Sequence, residues 1–86
     1  MKELTVEVKN PHGLHARPAA LFVQKAASFG GPVLLVKEDR EVDAKSILSV
    51  MSLGIEPGQE IRLRADGEGA QEILEALKAI AEDTSI

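Results

Sequence analysis

The chain has 86 residues and a formal net charge of −4, and it contains neither cysteine, tryptophan nor tyrosine. The absence of cysteine excludes disulfides, a thiol nucleophile and a cysteine-ligated zinc site. An acidic chain whose aromatic residues are two phenylalanines lacks the basic footprint and the stacking side chains of nucleic-acid binders. We therefore expect no nucleic-acid partner.

The N-terminus has the pattern of a strand and not that of a targeting segment. Leu4, Val6 and Val8 alternate with polar residues over Glu3–Lys9, which predicts a half-buried strand. No apolar run approaches the roughly 20 residues needed to span a bilayer, and no signal peptide is visible. We expect one cytoplasmic domain over residues 1–86, without membrane association.

A helix is predicted over Ala16–Ser28, after the turn Asn10-Pro11-His12-Gly13. Pro18 falls in its first turn, where a missing N–H costs no helical bond, and Gly30-Gly31-Pro32 ends it. Small apolar residues recur at helical spacing and predict its buried stripe, with Phe22 and Phe29 at the flank of that stripe. The stripe comprises Ala16, Ala19, Ala20, Val23, Ala26 and Ala27.

Hydrophobic periodicity and turn residues predict five further elements, which are strands Val33–Lys37, Glu41–Asp43 and Glu60–Asp66 and helices Ser46–Met51 and Ala70–Glu82. The tail Asp83–Ile86 is expected to fray. The element order βαββαβα predicts an α+β fold with one antiparallel sheet and helices on one face. The other face of the sheet, expected to meet water, carries Thr5, Glu7, Arg62 and Arg64.

The candidate site lies where the first strand turns into the first helix. His15 stands at the predicted N-cap, a position that normally prefers Ser, Thr, Asp or Asn. The first turn of a helix has free backbone N–H groups and the positive end of the macrodipole, which suit an anion. Neutral imidazole is a nucleophile, and the amides of Ala16 and Arg17, with the Arg17 guanidinium, can hold phosphoryl oxygens. The pattern therefore favours reversible phosphorylation of His15.

These residues alone leave other interpretations of His15 open. A loop histidine can be a surface or cap residue without any chemistry. His12 suggests a metal site, but two histidines without a third ligand make a poor zinc site, so we expect no metal and no cofactor. A serine–histidine nucleophile pair has no visible acid partner.

The segment Gly13–Ala19, GLHARPA, resembles the active-site signature of the HPr phosphocarriers of the bacterial sugar phosphotransferase system. Lys45–Gly54 resembles their second signature, so the likeness covers essentially the whole chain. It implies an open-faced β-sandwich, in which a four-stranded antiparallel sheet carries three helices on one face. It also implies a carrier protein and not an enzyme.

The resemblance further implies that phosphorylated enzyme I transfers a phosphoryl group to Nδ1 of His15, with Arg17 assisting. His15 would then pass the group to the IIA domains of sugar permeases. The surface of Ile47, Leu48 and Met51 would dock these partners, and we expect Ile47 or Leu48 to be exposed beside His15, with Val50 buried. A monomer is expected, because a carrier presents one face to successive partners.

Ser46 matches the serine that an HPr kinase/phosphorylase modifies in carriers from Gram-positive bacteria, where a catabolite regulator is the further partner. Serine also caps short helices, so the regulatory role and the cap are both open. The remaining alternatives are a nitrogen-branch paralogue that uses the same chemistry to signal, a purely regulatory relative, and a small acyl-phosphatase-like enzyme.

Overall fold

The computed structural model, which describes residues 1–86, has four strands and three helices. The four strands are β1 (Lys2–Glu7), β2 (Val33–Lys37), β3 (Arg40–Asp43) and β4 (Glu60–Ala65). The three helices are α1 (Ala16–Ala27), α2 (Ile47–Ser52) and α3 (Ala70–Glu82). None of these helices combines the length and the apolar character that crossing a bilayer requires. The order βαββαβα confirms the predicted α+β fold.

The strands form one antiparallel sheet in the order β1-β4-β2-β3. Leu63 of β4 pairs with Leu4 of β1 on one side and with Leu35 of β2 on the other, so an apolar row crosses the sheet beneath the helices. Because side chains alternate along a strand, the neighbouring positions face outward. On that face Thr5, Glu7 and Arg62 are exposed, as predicted, and Arg64 is half-buried between Glu3 and Glu41 at 3.3 and 2.9 Å.

The helix α1 turns a different face to the core from the one that its alanines predict. Its buried residues are Pro18, Ala19, Phe22 and Ala26, whereas Ala16, Ala20 and Ala27 are exposed. Burial of the large Phe22 ring removes far more apolar surface from water than burial of an alanine, so Phe22 decides the rotation of the helix. The matching face of α3 buries Ala70, Ile73, Leu74, Leu77 and Ala81.

Four strand ends differ from the prediction. The strand β1 begins at Lys2 and not at Glu3, and β4 ends at Ala65 and not at Asp66. The strand β1 ends at Glu7 and not at Lys9, although Val8 still donates to the Gln59 carbonyl (2.9 Å) and accepts from the Gly58 amide (2.8 Å). The hairpin turn between β2 and β3 is shorter than predicted, because Arg40 pairs with Lys37 across the two turn residues. Glu38 enables this tight turn with a left-handed φ of 55°.

Candidate functional site

His15 is the N-cap of α1, but its imidazole does not cap the helix. The residue is extended (φ −124°, ψ 159°), and its side chain makes no hydrogen bond to the first turn. Its backbone carbonyl accepts from the Ala19 amide at 3.5 Å. The imidazole ring is 34% exposed, and the helix does not engage it.

The first turn of α1 has two backbone amides without an acceptor. The N–H groups of Ala16 and Arg17 donate to no other group in the chain, Pro18 has no N–H, and the Ala19 amide is used by His15. The Arg17 side chain is exposed and takes part in no ion pair. Free amides at the positive end of a helix, with an unpaired guanidinium on the same turn, form an arrangement that suits an anion.

The backbone next to His15 is strained. Ala16 has a φ of 48°, in the left-handed region that a residue with a Cβ seldom adopts. Such a conformation costs about 1–2 kcal/mol and persists where surrounding contacts fix it. The sequence pattern does not reveal it, because alanine at a helix start predicts ordinary helical angles.

The loop before His15 is anchored on the segment that follows α2. Leu14 is fully buried, and its amide donates to the Ile55 carbonyl at 3.1 Å. Gly13 closes a turn by donating to the Asn10 carbonyl at 3.1 Å. These bonds fix the position of the chain immediately before His15.

Asn10 anchors the other end of this loop, a role that the sequence analysis missed. It is fully buried, and its Nδ2 donates to the carbonyls of Ile80 (2.9 Å) and Asp83 (2.6 Å). The last carbonyls of a helix lack i+4 partners. Asn10 supplies the donor for Asp83 and a second donor for Ile80, which also accepts from the Asp83 amide at 3.2 Å. The expectation of a frayed tail is therefore wrong at Asp83, whose carbonyl this bond holds. Asn10 gave only a turn signal, because its partners lie 70 and 73 positions along the chain.

Glu56 is a second site residue that no sequence pattern indicates. Its Oε1 lies 3.4 Å from Nε2 of His15, while 61% of its side chain is exposed. No local motif connects the two residues, which come together because the segment after α2 docks on the loop before α1. His12, in contrast, is exposed, and no three His, Asp or Glu side chains are grouped so that they could hold a metal ion.

Ser46 is the N-cap of α2 and is partly buried. Its Oγ accepts from the Ser49 amide at 3.4 Å, so the cap interpretation of this serine is confirmed, with a long bond. The neighbouring Lys45 is engaged elsewhere, because its Nζ donates to the Phe29 carbonyl at 2.7 Å. The Ser46 hydroxyl lies at the start of α2, and this short helix packs against α1.

Three apolar residues of α2 are exposed, as expected for part of the second signature. The exposed fraction is 79% for Leu48, 40% for Met51 and 36% for Ile47, while Val50 is fully buried. Exposed large apolar side chains are otherwise confined to Met1. A small apolar surface on one short helix is typical of a protein docking site.

The chain matches the family model described as "PTS HPr component phosphorylation site" over residues 2–83. It is 48% identical over 83 residues to the HPr-like protein Crh of Bacillus subtilis, covering 96% of this chain and 98% of that protein. It is also 48% identical over 84 residues to the phosphocarrier protein HPr of Streptomyces coelicolor, covering 95% of this chain and 90% of that protein.

Solved structures share the fold. The crystal structure of HPr-C-His from Thermoanaerobacter tengcongensis superposes with a TM-score of 0.91 at 48% identity, covering 95% of this chain and 92% of that one. An HPr dimer from the same organism gives a TM-score of 0.69 at 49% identity, covering 90% and 88%. A relative with this fold is thus described as a dimer.

Proposed function

This chain belongs to the HPr family of phosphocarrier proteins, and from that premise we propose that it accepts a phosphoryl group on His15 from phosphorylated enzyme I. It then passes the group to the IIA domains of sugar permeases. Members of this family are phosphoryl carriers and not enzymes. The observation that carries the proposal is the partly exposed His15 at the start of a helical turn that has two free amides and the unpaired Arg17.

The proposed transfer is a displacement at phosphorus. The lone pair of the unprotonated ring nitrogen of His15, Nδ1 in this proposal, forms the N–P bond. The bond from phosphorus to the donor atom breaks, and its electron pair stays on the donor. The amides of Ala16 and Arg17 and the Arg17 guanidinium bind the phosphoryl oxygens by charge-assisted hydrogen bonds. The reverse displacement, by a nucleophile on the IIA domain, restores free His15.

The test is phosphorylation with phosphoenolpyruvate and purified enzyme I, followed by intact mass spectrometry. The wild type is expected to gain one acid-labile phosphoryl group, and His15→Ala is expected to gain none. His12→Ala is the matched control, because it removes the neighbouring exposed histidine, and it should be labelled like the wild type. Labelling of His15→Ala, or no labelling of the wild type, would overturn the proposal.

A regulatory phosphorylation at Ser46 is the second candidate, favoured by the position of this serine and by the similarity to the HPr-like protein Crh. An ATP-dependent HPr kinase/phosphorylase would transfer the γ-phosphoryl group to Oγ and release ADP. The phosphate would sit at the N-terminus of α2, where its charge is tolerated, next to the exposed Ile47 and Leu48. The charge of the phosphate would hinder the docking of apolar partner surfaces there. It would also create a charged surface that a catabolite regulator could bind.

Treatment with purified HPr kinase/phosphorylase and ATP tests this second candidate. We expect one acid-stable phosphoryl group on the wild type and none on Ser46→Ala. Ser49→Ala is the control, because it removes the other hydroxyl of the same helical turn, and it should still be modified. Unmodified wild type, or modified Ser46→Ala, would exclude the Ser46 site.

We also propose that the carrier acts as a cytoplasmic monomer of one domain, because it must present the face around His15 to one partner after another. Light scattering on the purified protein tests the monomer. The expected mass is 9.2 kDa, and twice that mass at micromolar concentration would instead show a dimer like the one described for the Thermoanaerobacter relative.

A further inference from the structure

The backbone holds Glu56 opposite His15. The residues that precede the two side chains are bonded to each other, since the Leu14 amide donates to the Ile55 carbonyl at 3.1 Å. Glu56 begins a turn in which both its amide and its carbonyl are hydrogen-bonded to Gln59. Its amide donates to Oε1 of Gln59 at 2.8 Å, and its carbonyl accepts from the Gln59 amide at 3.2 Å. The position of the Glu56 backbone is therefore fixed relative to His15, although its carboxylate is largely exposed.

A carboxylate beside Nε2 bears on which ring nitrogen of a neutral imidazole holds the proton. A carboxylate is an acceptor only, and it lies 3.4 Å from Nε2, at the outer limit of hydrogen-bond distance. A proton on Nε2 is attracted by this carboxylate, whereas a lone pair on Nε2 would be repelled by it. A neutral imidazole has a single ring proton, so a proton on Nε2 leaves the lone pair, and hence the nucleophilic nitrogen, at Nδ1.

We propose that Glu56 is a positioning residue for phosphoryl transfer, an inference that rests on the proposed carrier function. It holds the proton on Nε2 and directs the phosphoryl group to Nδ1. When the Nδ1–P bond forms while Nε2 keeps its proton, the ring gains a positive charge, and the carboxylate of Glu56 offsets that charge. When the group moves on, the P–N bond breaks, its electron pair returns to Nδ1, and the ring is neutral again.

Glu56 and Arg17 stabilise charges of opposite sign. Arg17 supplies positive charge for the phosphoryl oxygens, and Glu56 supplies negative charge for the imidazole. Since Glu56 is 61% exposed, water screens its charge, and an effect of modest size is expected. The carboxylate should therefore influence which ring nitrogen is phosphorylated and how fast, without being essential for transfer.

The first test is the tautomer of unphosphorylated His15, measured from the ring ¹⁵N chemical shifts at a pH where the imidazole is neutral. We expect the ratio of the Nε2–H to the Nδ1–H form to fall about two- to five-fold in Glu56→Ala. This factor corresponds to the typical interaction energy of an exposed ion pair. Glu56→Gln keeps an acceptor oxygen and should restore part of the ratio. Equal ratios in the wild type and Glu56→Ala would overturn the inference.

The second test is the rate of phosphorylation by phosphorylated enzyme I. We expect kcat to fall about two- to five-fold in Glu56→Ala with KM nearly unchanged. Glu68→Ala is the matched control, because Glu68 is exposed and lies between Gly67 and Gly69, where an added Cβ would come within 4 Å of Phe29, a residue beyond the far end of α1. A rise in KM with unchanged kcat would make Glu56 a docking residue and overturn the positioning role.

The two tests separate the inference from the proposed function. The tautomer measurement needs neither enzyme I nor a phosphoryl group. If the wild type were not phosphorylated at all, the carrier proposal would fail while the tautomer selection could still be observed. If the wild type were phosphorylated normally and the tautomer ratio did not depend on residue 56, the carrier proposal would stand and the role of Glu56 would fall.

Discussion

Gly13 and Ile55 lie in direct backbone contact, so that a Cβ on Gly13 would collide with the carbonyl oxygen of Ile55. Gly13 also has a φ of 73°, in the left-handed region that favours glycine. The Ile55 carbonyl accepts from the amide of Leu14, the next residue, at 3.1 Å. The missing side chain thus allows the loop before His15 to dock on the segment that carries Glu56.

Gly13→Ala is therefore expected to destabilise the protein and to displace His15. Left-handed strain and the displacement of the Ile55 carbonyl together should lower the free energy of unfolding by about 2–4 kcal/mol, as measured by urea unfolding. The rate of phosphorylation by enzyme I should fall in the same variant. Gly30→Ala is the control, because an added Cβ there meets no atom within 4 Å. Equal stability of the two variants would contradict the assigned contact.

Asn10→Ala tests the connection between the His15 loop and α3. The substitution removes the donor to the Asp83 carbonyl and one of the two donors to the Ile80 carbonyl, which still accepts from the Asp83 amide at 3.2 Å. It also removes a buried Oδ1 that has no partner. We expect a net loss of about 1–2 kcal/mol in the free energy of unfolding. Exposed Gln24→Ala provides the comparison, and an Asn10→Ala variant as stable as this control would show that the two bonds contribute nothing.

The acid titration of Asp83 is expected to depend on Ser85. The Ser85 hydroxyl (2.6 Å) and its amide (2.8 Å) donate to Oδ1 of Asp83 and lower the pKa of that carboxyl below its usual range. The stabilisation is present above the pKa of the unfolded chain, about 3.9, and disappears as the pH falls through the lower folded value. In Ser85→Ala the ¹³C titration midpoint of Asp83 should rise, and an unchanged midpoint would refute the assignment.

The sequence predicted the elements well because its hydrophobic periods are unambiguous. Strict alternation along β1 and β4, and the glycine and proline turns between elements, indicated the order that the structure has. The buried face of α1 was predicted only in part, since a stripe of alanines repeats at several phases. Phe22, predicted at the flank of the stripe, lies at the centre of the buried face. Strand ends shifted by one or two residues where pairing with a neighbour decides the boundary.

The site was predictable only in its local part. His15 and the free amides of Ala16 and Arg17 follow from the start of one helix, where sequence and structure correspond directly. Asn10 and Glu56 owe their positions to contacts with segments far along the chain. No periodicity or motif in a single sequence encodes such contacts, because they depend on how the assembled elements pack.

Arg17 is expected to contribute to the rate of transfer and not to stability. Its side chain is exposed and unpaired, so Arg17→Ala should leave the free energy of unfolding within about 0.5 kcal/mol of the wild type. Loss of a charge-assisted hydrogen bond to the phosphoryl group should slow phosphorylation about 10- to 100-fold. Rapid-quench kinetics with phosphorylated enzyme I measures the rate.

Arg17→Lys separates charge from geometry in this experiment. Lysine keeps the positive charge but loses the planar, bidentate guanidinium, so partial recovery is expected. If Arg17→Ala transferred as fast as the wild type, the phosphoryl oxygens would have to be bound by the backbone amides alone.

The exposed apolar surface of α2 should determine affinity for partners. Leu48 is 79% exposed, so Leu48→Ser should leave stability within about 0.5 kcal/mol of the wild type. If Leu48 is buried when enzyme I docks, its loss should raise KM about 5- to 30-fold with kcat nearly unchanged. Leu48→Met keeps an apolar side chain and should behave like the wild type. Unchanged KM in Leu48→Ser would place the docking surface elsewhere on the protein.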